Sequence, residues 1–158
     1  MLQNIPLEKV LFLDIETVPQ YGNWDEMDES LQKLWDKKTL HQRKDDFTAE
    51  EFYKERGGIM AEFGKIICIS VGILDKSDKI MIKSFAGDDE KKLLEEFGEI
   101  FNRPKLRDVI LCAHNGKEFD FPWIARRFLI NGMQPPKPFQ LFGKKPWEIP
   151  HLDTMELW

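Results

Sequence analysis

The sequence predicts an α/β fold: a mixed sheet, an antiparallel hairpin plus parallel strands, with flanking helices and a helical insertion after the first strand. Three observations predict it. Val10–Leu13 and Val109–Ala113 are short, wholly apolar runs of the kind that form strands buried on both faces. Lys65–Leu74 and Lys79–Phe85 flank a turn composition, Asp75-Lys76-Ser77-Asp78, and read as a hairpin. Asp88–Phe101 and Phe119–Ile130 carry helical patterning and alternate with the strands, so the order is strand, insertion, hairpin, helix, strand, helix, loop, with right-handed crossovers.

Each element has its own signal. Residues 20–63 are charged and helix-favouring, with Leu31, Leu34 and Trp35 at helical spacing. Thr48 and Glu51 make a capping box and Phe47 can staple onto Phe52, so a helix starts at Ala49 and ends near Gly57-Gly58. In the next helix Leu93, Leu94, Phe97, Ile100 and Phe101 share one face, and acidic residues occupy the first turn where the helix dipole favours them. Pro122 opens the helix that runs to Ile130. Residues 134–150 form a Pro-rich loop, basic at Lys137, Lys144 and Lys145, and His151–Trp158 begins a new element. We expect residues 1–158 to form a single domain, incomplete at its C-terminus, with 20–63 as the insertion and this Trp-rich, helical insertion as a contact surface.

Composition closes off several classes. The chain has 158 residues, 42% of them hydrophobic and 32% charged, which is ordinary for a soluble globular domain. No run approaches ~18 apolar residues, so no membrane span is expected. Met1-Leu2-Gln3-Asn4-Ile5-Pro6 lacks the basic stretch and apolar core of a secretory signal. Cys68 and Cys112 sit in apolar runs without zinc-ligand spacing and read as buried free thiols in a reducing compartment, which makes the cytoplasm the expected address. A net charge of −5 argues against coating nucleic acid through bulk charge; it leaves room for an enzyme that grips a few phosphates through metal ions.

The chemistry-bearing residues fall in two clusters. Asp14 and Glu16 end the first strand in Asp14-Ile15-Glu16-Thr17, and the two-residue period of a strand projects both carboxylates from one face while Ile15 turns into the core. Two adjacent carboxylates repel, and hard oxygen ligands of this kind suit Mg²⁺ or Mn²⁺. Solvated strand-end acids are the plain alternative. The second cluster, His114-Asn115-Gly116-Lys117-Glu118-Phe119-Asp120-Phe121-Pro122, follows the second buried strand and puts Asp120 in the first turn of a helix at the carboxyl end of the sheet, where the dipole is expected to keep it ionised. Alone, such an acid reads as a cap; beside Asp14 and Glu16 it reads as a third metal ligand.

These two motifs resemble the first two of the DnaQ-like 3′–5′ exonucleases, which belong to the RNase H-like superfamily and carry four metal-binding acids, the DEDD set. The wording is most similar to the proofreading domains of family B DNA polymerases and to bacterial PolB-like exonucleases. The resemblance runs along nearly the whole chain, through His151-Leu152-Asp153-Thr154. It implies an RNase H-like sheet and a two-metal phosphodiesterase acting at nucleic-acid 3′ ends, on single-stranded DNA first, with separate polymerase or repair proteins as partners. Asp14 would bridge two ions (Mg²⁺ or Mn²⁺), Glu16 would hold the first and orient water, and Asp120 would bind the second. The backbone at Thr17 and Val18 would meet the terminal nucleotide, and Asn115 and Phe119 would position the strand. Phe119 reads equally well as core and Asn115 as a turn former; Arg126 and Arg127 read as one inward anchor and one solvated charge. The family's third motif, Tyr or His followed by x3 and Asp on a later helix, does not appear after Asp120, and Asp153 is not expected to replace it because Ile149 stands four residues before it. The expectation is an N-terminal part of a longer protein, impaired as a nuclease. A haloacid-dehalogenase-type phosphatase would need a second Asp where Glu16 stands. A non-catalytic nucleic-acid- or protein-binding module with a degenerate fold is the remaining alternative.

Overall fold

The computed structural model describes residues 5–43, 46–75, 77 and 79–158. The reading of Met1–Asn4, and Lys76 and Asp78 of the expected turn, lie outside the described residues.

Five strands form one sheet in the order β3-β2-β1-β4-β5: β1 (Val10–Pro19), β2 (Gly64–Leu74), β3 (Ile80–Ala86), β4 (Ile110–Ala113) and β5 (Leu152–Asp153). β2 and β3 are antiparallel, with Cys68 opposite Ala86 and Leu74 opposite Ile80. β1 and β4 are parallel, as are β4 and β5. This is the predicted mixed sheet with flanking helices.

The chain divides into two compact units, Thr17–Lys65 and the rest. In the first, α1 (Glu29–Arg43) and α2 (Ala49–Arg56) hold an aromatic core of Trp35, Phe52, Tyr53 and Phe63, with Met27. Trp35 meets Tyr53 and Phe63 edge-on at 5.2 and 5.0 Å, and its indole N–H donates to Ala49 O at 2.8 Å. Trp35 is therefore spent on this core, and the exposed member of the predicted stripe is Leu34. The capping box forms as expected: Glu51 N–H donates to the Thr48 hydroxyl at 3.2 Å, and Thr48 N–H to the Glu51 carboxylate at 2.9 Å. Phe47 lies 6.0 Å from Phe52.

In the larger unit, α3 (Glu90–Glu99) and α4 (Asp120–Ile130) bury Leu93, Leu94, Phe97, Phe121, Ile124 and Phe128. Phe97 is the hub, with rings of Phe85, Phe101 and Phe139 between 5.3 and 5.7 Å away. A buried ion pair ties the two helices: Arg127 Nη2 donates to Glu90 Oε2 at 2.5 Å, and Glu90 also accepts from Ile66 N–H at 2.7 Å and Asn131 Nδ2 at 2.9 Å. A charge so deep persists because its oxygens are engaged. Arg127 is thus the inward anchor and Arg126 the exposed charge. His151 is also buried; its Nδ1 accepts from Leu111 N–H at 3.2 Å and its Nε2 lies 2.8 Å from Pro138 O, so the imidazole extends the β4–β5 pairing by one bond.

The structure corrects three expectations. β1 continues to Pro19, so Asp14 and Glu16 lie within it. From Leu11 onward only one face of β1 is buried: Leu11, Leu13 and Ile15 point inward, whereas Phe12 is 37% exposed on the face shared with Asp14 and Glu16. Cys112 is buried but Cys68 only half-buried, and both are free. At the sheet margin, Ile80, Met81 and Ile82 of β3 are exposed on both faces. Among the described residues no helix is long and apolar enough to cross a membrane.

Candidate active site

β1 and β4 pair in register from Val10 with Ile110 to Phe12 with Cys112, beyond which β4 has only Ala113, paired with Asp153 of β5. Asp14 and Glu16 follow on β1, exposed and on one face, as strand alternation dictates. On the β4 side the chain turns sharply. Asn115 takes a left-handed conformation (φ 58°), which asparagine tolerates better than other residues bearing a Cβ. Gly116 packs so closely that a Cβ there would lie 2.5 Å from Ala113 Cβ and 2.8 Å from the Phe121 ring. The turn closes through Phe119 N–H to Asn115 O and Phe121 N–H to Gly116 O, both 2.9 Å, and Asp120 then opens α4.

Asp120 is 3% exposed. Burial is the largest cause of a carboxyl pKa pushed up to about 6, with Asp14 and Asp153 adding charge repulsion; backbone N–H bonds at Asp120 itself and Ile15 pull it partway back. Desolvation and two neighbouring acids thus oppose the helix dipole, and a carboxyl pushed up to about 6 is still mostly ionised at neutral pH. The same fact places Asp14 and Asp120, far apart in sequence, within electrostatic reach of each other. Among the described residues no three His, Cys, Asp or Glu side chains stand together in a metal-holding arrangement. A cavity of about 320 Å³ opens beside Asp14, lined mainly by Phe12, Val71, Gly72, Ile80 and Ile82.

The remaining predicted residues are placed as follows. The Thr17 hydroxyl donates to Gly58 O at 2.6 Å, which leaves its backbone to act, and Val18 is half-buried. The Phe119 ring lies 6.1 Å from Trp123, one turn along α4, and is partly exposed. Asn115 is the turn former its alternative reading described, with its side chain half-buried.

Sequence reasoning missed the part played by the β5–α5 step (α5, Thr154–Leu157). Asp153 is 3% exposed; its Oδ1 accepts from Asn115 N–H at 2.8 Å and Met155 N–H at 3.0 Å, and its Oδ2 from Lys117 N–H at 3.1 Å. His114 Nδ1 lies 2.9 Å from the Thr154 hydroxyl, and the Lys117 ammonium 2.7 Å from Glu156. The signal available in sequence was an Asp at a strand-to-helix step, which announces only a cap.

Comparison with known proteins bears on this geometry. A family model of the RNase H superfamily (RNase_H_2) matches residues 52–157, about two thirds of the chain. The chain belongs to the RNase H superfamily. The matched stretch of this RNase H-like chain contains Asn115, Asp120 and Asp153, while β1 with Asp14 and Glu16 lies outside it. Superfamily membership supports a nuclease-type function. No curated protein matches the chain. Similar solved structures include the family B DNA polymerase from the hyperthermophilic archaeon Pyrobaculum calidifontis, at 15% identity and TM-score 0.43 over 78% of this chain and 11% of that one. E. coli Exonuclease I in complex with a dT13 oligonucleotide is similar at 12% identity and TM-score 0.48, over 91% of this chain and 27% of that one. The RNase H-like chain thus spans a small part of the length of either.

Proposed function

We propose that this chain is a metal-dependent 3′–5′ exonuclease that hydrolyses phosphodiester bonds at nucleic-acid 3′ ends, single-stranded DNA first. The observation that carries the reading is that Asp14 of β1 and the buried Asp120 at the start of α4, two acids from distant segments, come close enough for the charge of Asp14 to act on Asp120, a negative charge that a divalent cation would compensate. The donor chemistry fits: carboxylate oxygens are what Mg²⁺ and Mn²⁺ take. Asp14, Glu16 and Asp120 are the residues that would hold two such ions. What the ions would supply when bound is activation of water and stabilisation of the leaving 3′ oxygen. Asp120 must give up its proton, held up to about pH 6, to become a ligand. The Thr17–Val18 backbone would meet the terminal nucleotide, and Asn115 and Phe119 would orient the strand. Three acids of a four-acid set are assigned among these residues, so the reading carries slow turnover for this chain. It also carries a cytoplasmic site of action beside separate polymerase or repair proteins.

The test is a 3′-labelled single-stranded DNA assay with Mn²⁺. Slow release of mononucleotides that needs the metal and disappears in Asp14→Ala supports the proposal. No release, or release indifferent to Asp14→Ala, overturns it. The second reading, a non-catalytic nucleic-acid- or protein-binding module, is favoured by the lack, among the described residues, of three acids gathered in a metal-holding arrangement; DNA binding without release would support it.

A further inference from the structure

We infer that Asp153 is a positioning residue of the candidate site, which sets the backbone of the β4–α4 loop and through it Asn115 and Asp120. Three features distinguish it from a ligand or a simple cap. Both of its oxygens are spent on backbone N–H groups, Oδ1 on Asn115 and Met155 and Oδ2 on Lys117. The bond to Met155 alone would cap α5, a helix of four residues, and does not account for a carboxylate 3% exposed. The other two bonds cross to a loop that carries its own conformational cost, a left-handed Asn115 and a Gly116 with no room for a Cβ.

The hydrogen bonds form a relay. Asp153 fixes the N–H groups of Asn115 and Lys117. The carbonyls of Asn115 and Gly116 in turn hold the N–H groups of Phe119 and Phe121, the two residues that flank Asp120. Two side-chain links repeat the attachment of this loop to the same step, His114 to Thr154 and Lys117 to Glu156. Groups that orient a ligand without touching the ion commonly govern its affinity.

The inference rests on the metal-dependent reading, and its test separates the two. In the unaltered chain, the Asn115 and Lys117 amides are expected to exchange with solvent more slowly than the Gly116 amide between them. Asp153→Asn keeps an acceptor for Asn115 and turns an NH₂ toward Lys117; it should leave the melting curve cooperative and speed exchange at Lys117. It should also weaken Mn²⁺ binding, read by calorimetry, by about tenfold or more, the range for outer-shell partners. Glu156→Ala, which cuts only the Lys117 side-chain link, should bind Mn²⁺ as the unaltered chain does. Amides of Asn115 and Lys117 that exchange as fast as that of Gly116, or an Asp153→Asn chain with unchanged Mn²⁺ affinity, would overturn the inference alone. An unaltered chain with no saturable Mn²⁺ binding would overturn the metal-dependent reading and this inference with it.

Discussion

Asp14 on β1 and Asp153 on β5 are the same chemical group on two strands of one sheet, and their surroundings differ completely. Asp14 is exposed, on a face with Phe12 and Glu16, and its charge is felt by Asp120 as repulsion. Asp153 is buried, yet its charge is met by three backbone N–H donors. The difference teaches that burial alone does not tell a structural acid from a reactive one. What counts is whether the oxygens are already engaged.

The comparison breaks most sharply if the two acids are removed in turn. Asp14→Ala is expected to lower metal-dependent release of nucleotides by more than about a hundredfold, beyond the usual reach of outer-shell partners, with a melting temperature at or above that of the unaltered chain. Asp153→Ala should do the reverse to stability. It leaves buried N–H groups without acceptors and should cost about 3 kcal/mol in urea denaturation, at about 1–3 kcal/mol for each such group. Equal stability losses for the two variants would erase the distinction.

Asp120 sharpens it further. Burial pushes the folded carboxyl up to about 6 from the ordinary 3.8, so between these the folded chain holds a proton the unfolded chain has released. Stability is therefore highest below the lower value and falls as pH rises through the upper one, by up to about 3 kcal/mol at neutral pH. Asp120→Asn, which keeps an oxygen for Ile15 N–H, should remove this dependence and raise stability at pH 7 while abolishing metal-dependent activity. Urea denaturation across pH 3–8 measures both.

His151 gives the smallest of these effects and the opposite sign. Burial holds its imidazole below the usual 6.5, and its Nδ1 must stay unprotonated to accept from Leu111. The unfolded chain takes up the proton first, so this contribution is present above pH 6.5 and is lost as pH falls below it. His151→Gln should flatten the acid limb of the same stability curve without altering its fall between pH 4 and 6.

How much of this was legible depended on how local each signal was. α2 was readable because Thr48, Glu51, Phe47 and Phe52 settle its start among themselves. The hairpin was readable because β2 and β3 are neighbours in sequence. The length of β1 beyond Asp14 was not, since no apolar run marks residues 15–19. The exposure of Phe12 was not, because an apolar run cannot say which of its faces a helix covers. In the candidate site, the acids could be named by residue type and spacing. The raised titration of Asp120 and the engagement of Asp153 depend on groups brought together from distant segments, which no local pattern encodes.

The margin of the sheet has a practical consequence. Ile80, Met81 and Ile82 leave β3 with greasy side chains on both faces and only Lys83 as a charged interruption along the strand. Strands of that kind invite lateral stacking of molecules in concentrated solution. Purified stocks will keep best when dilute, and a lysine introduced in place of the exposed Met81, which does not line the cavity beside Asp14, offers a route to better shelf life.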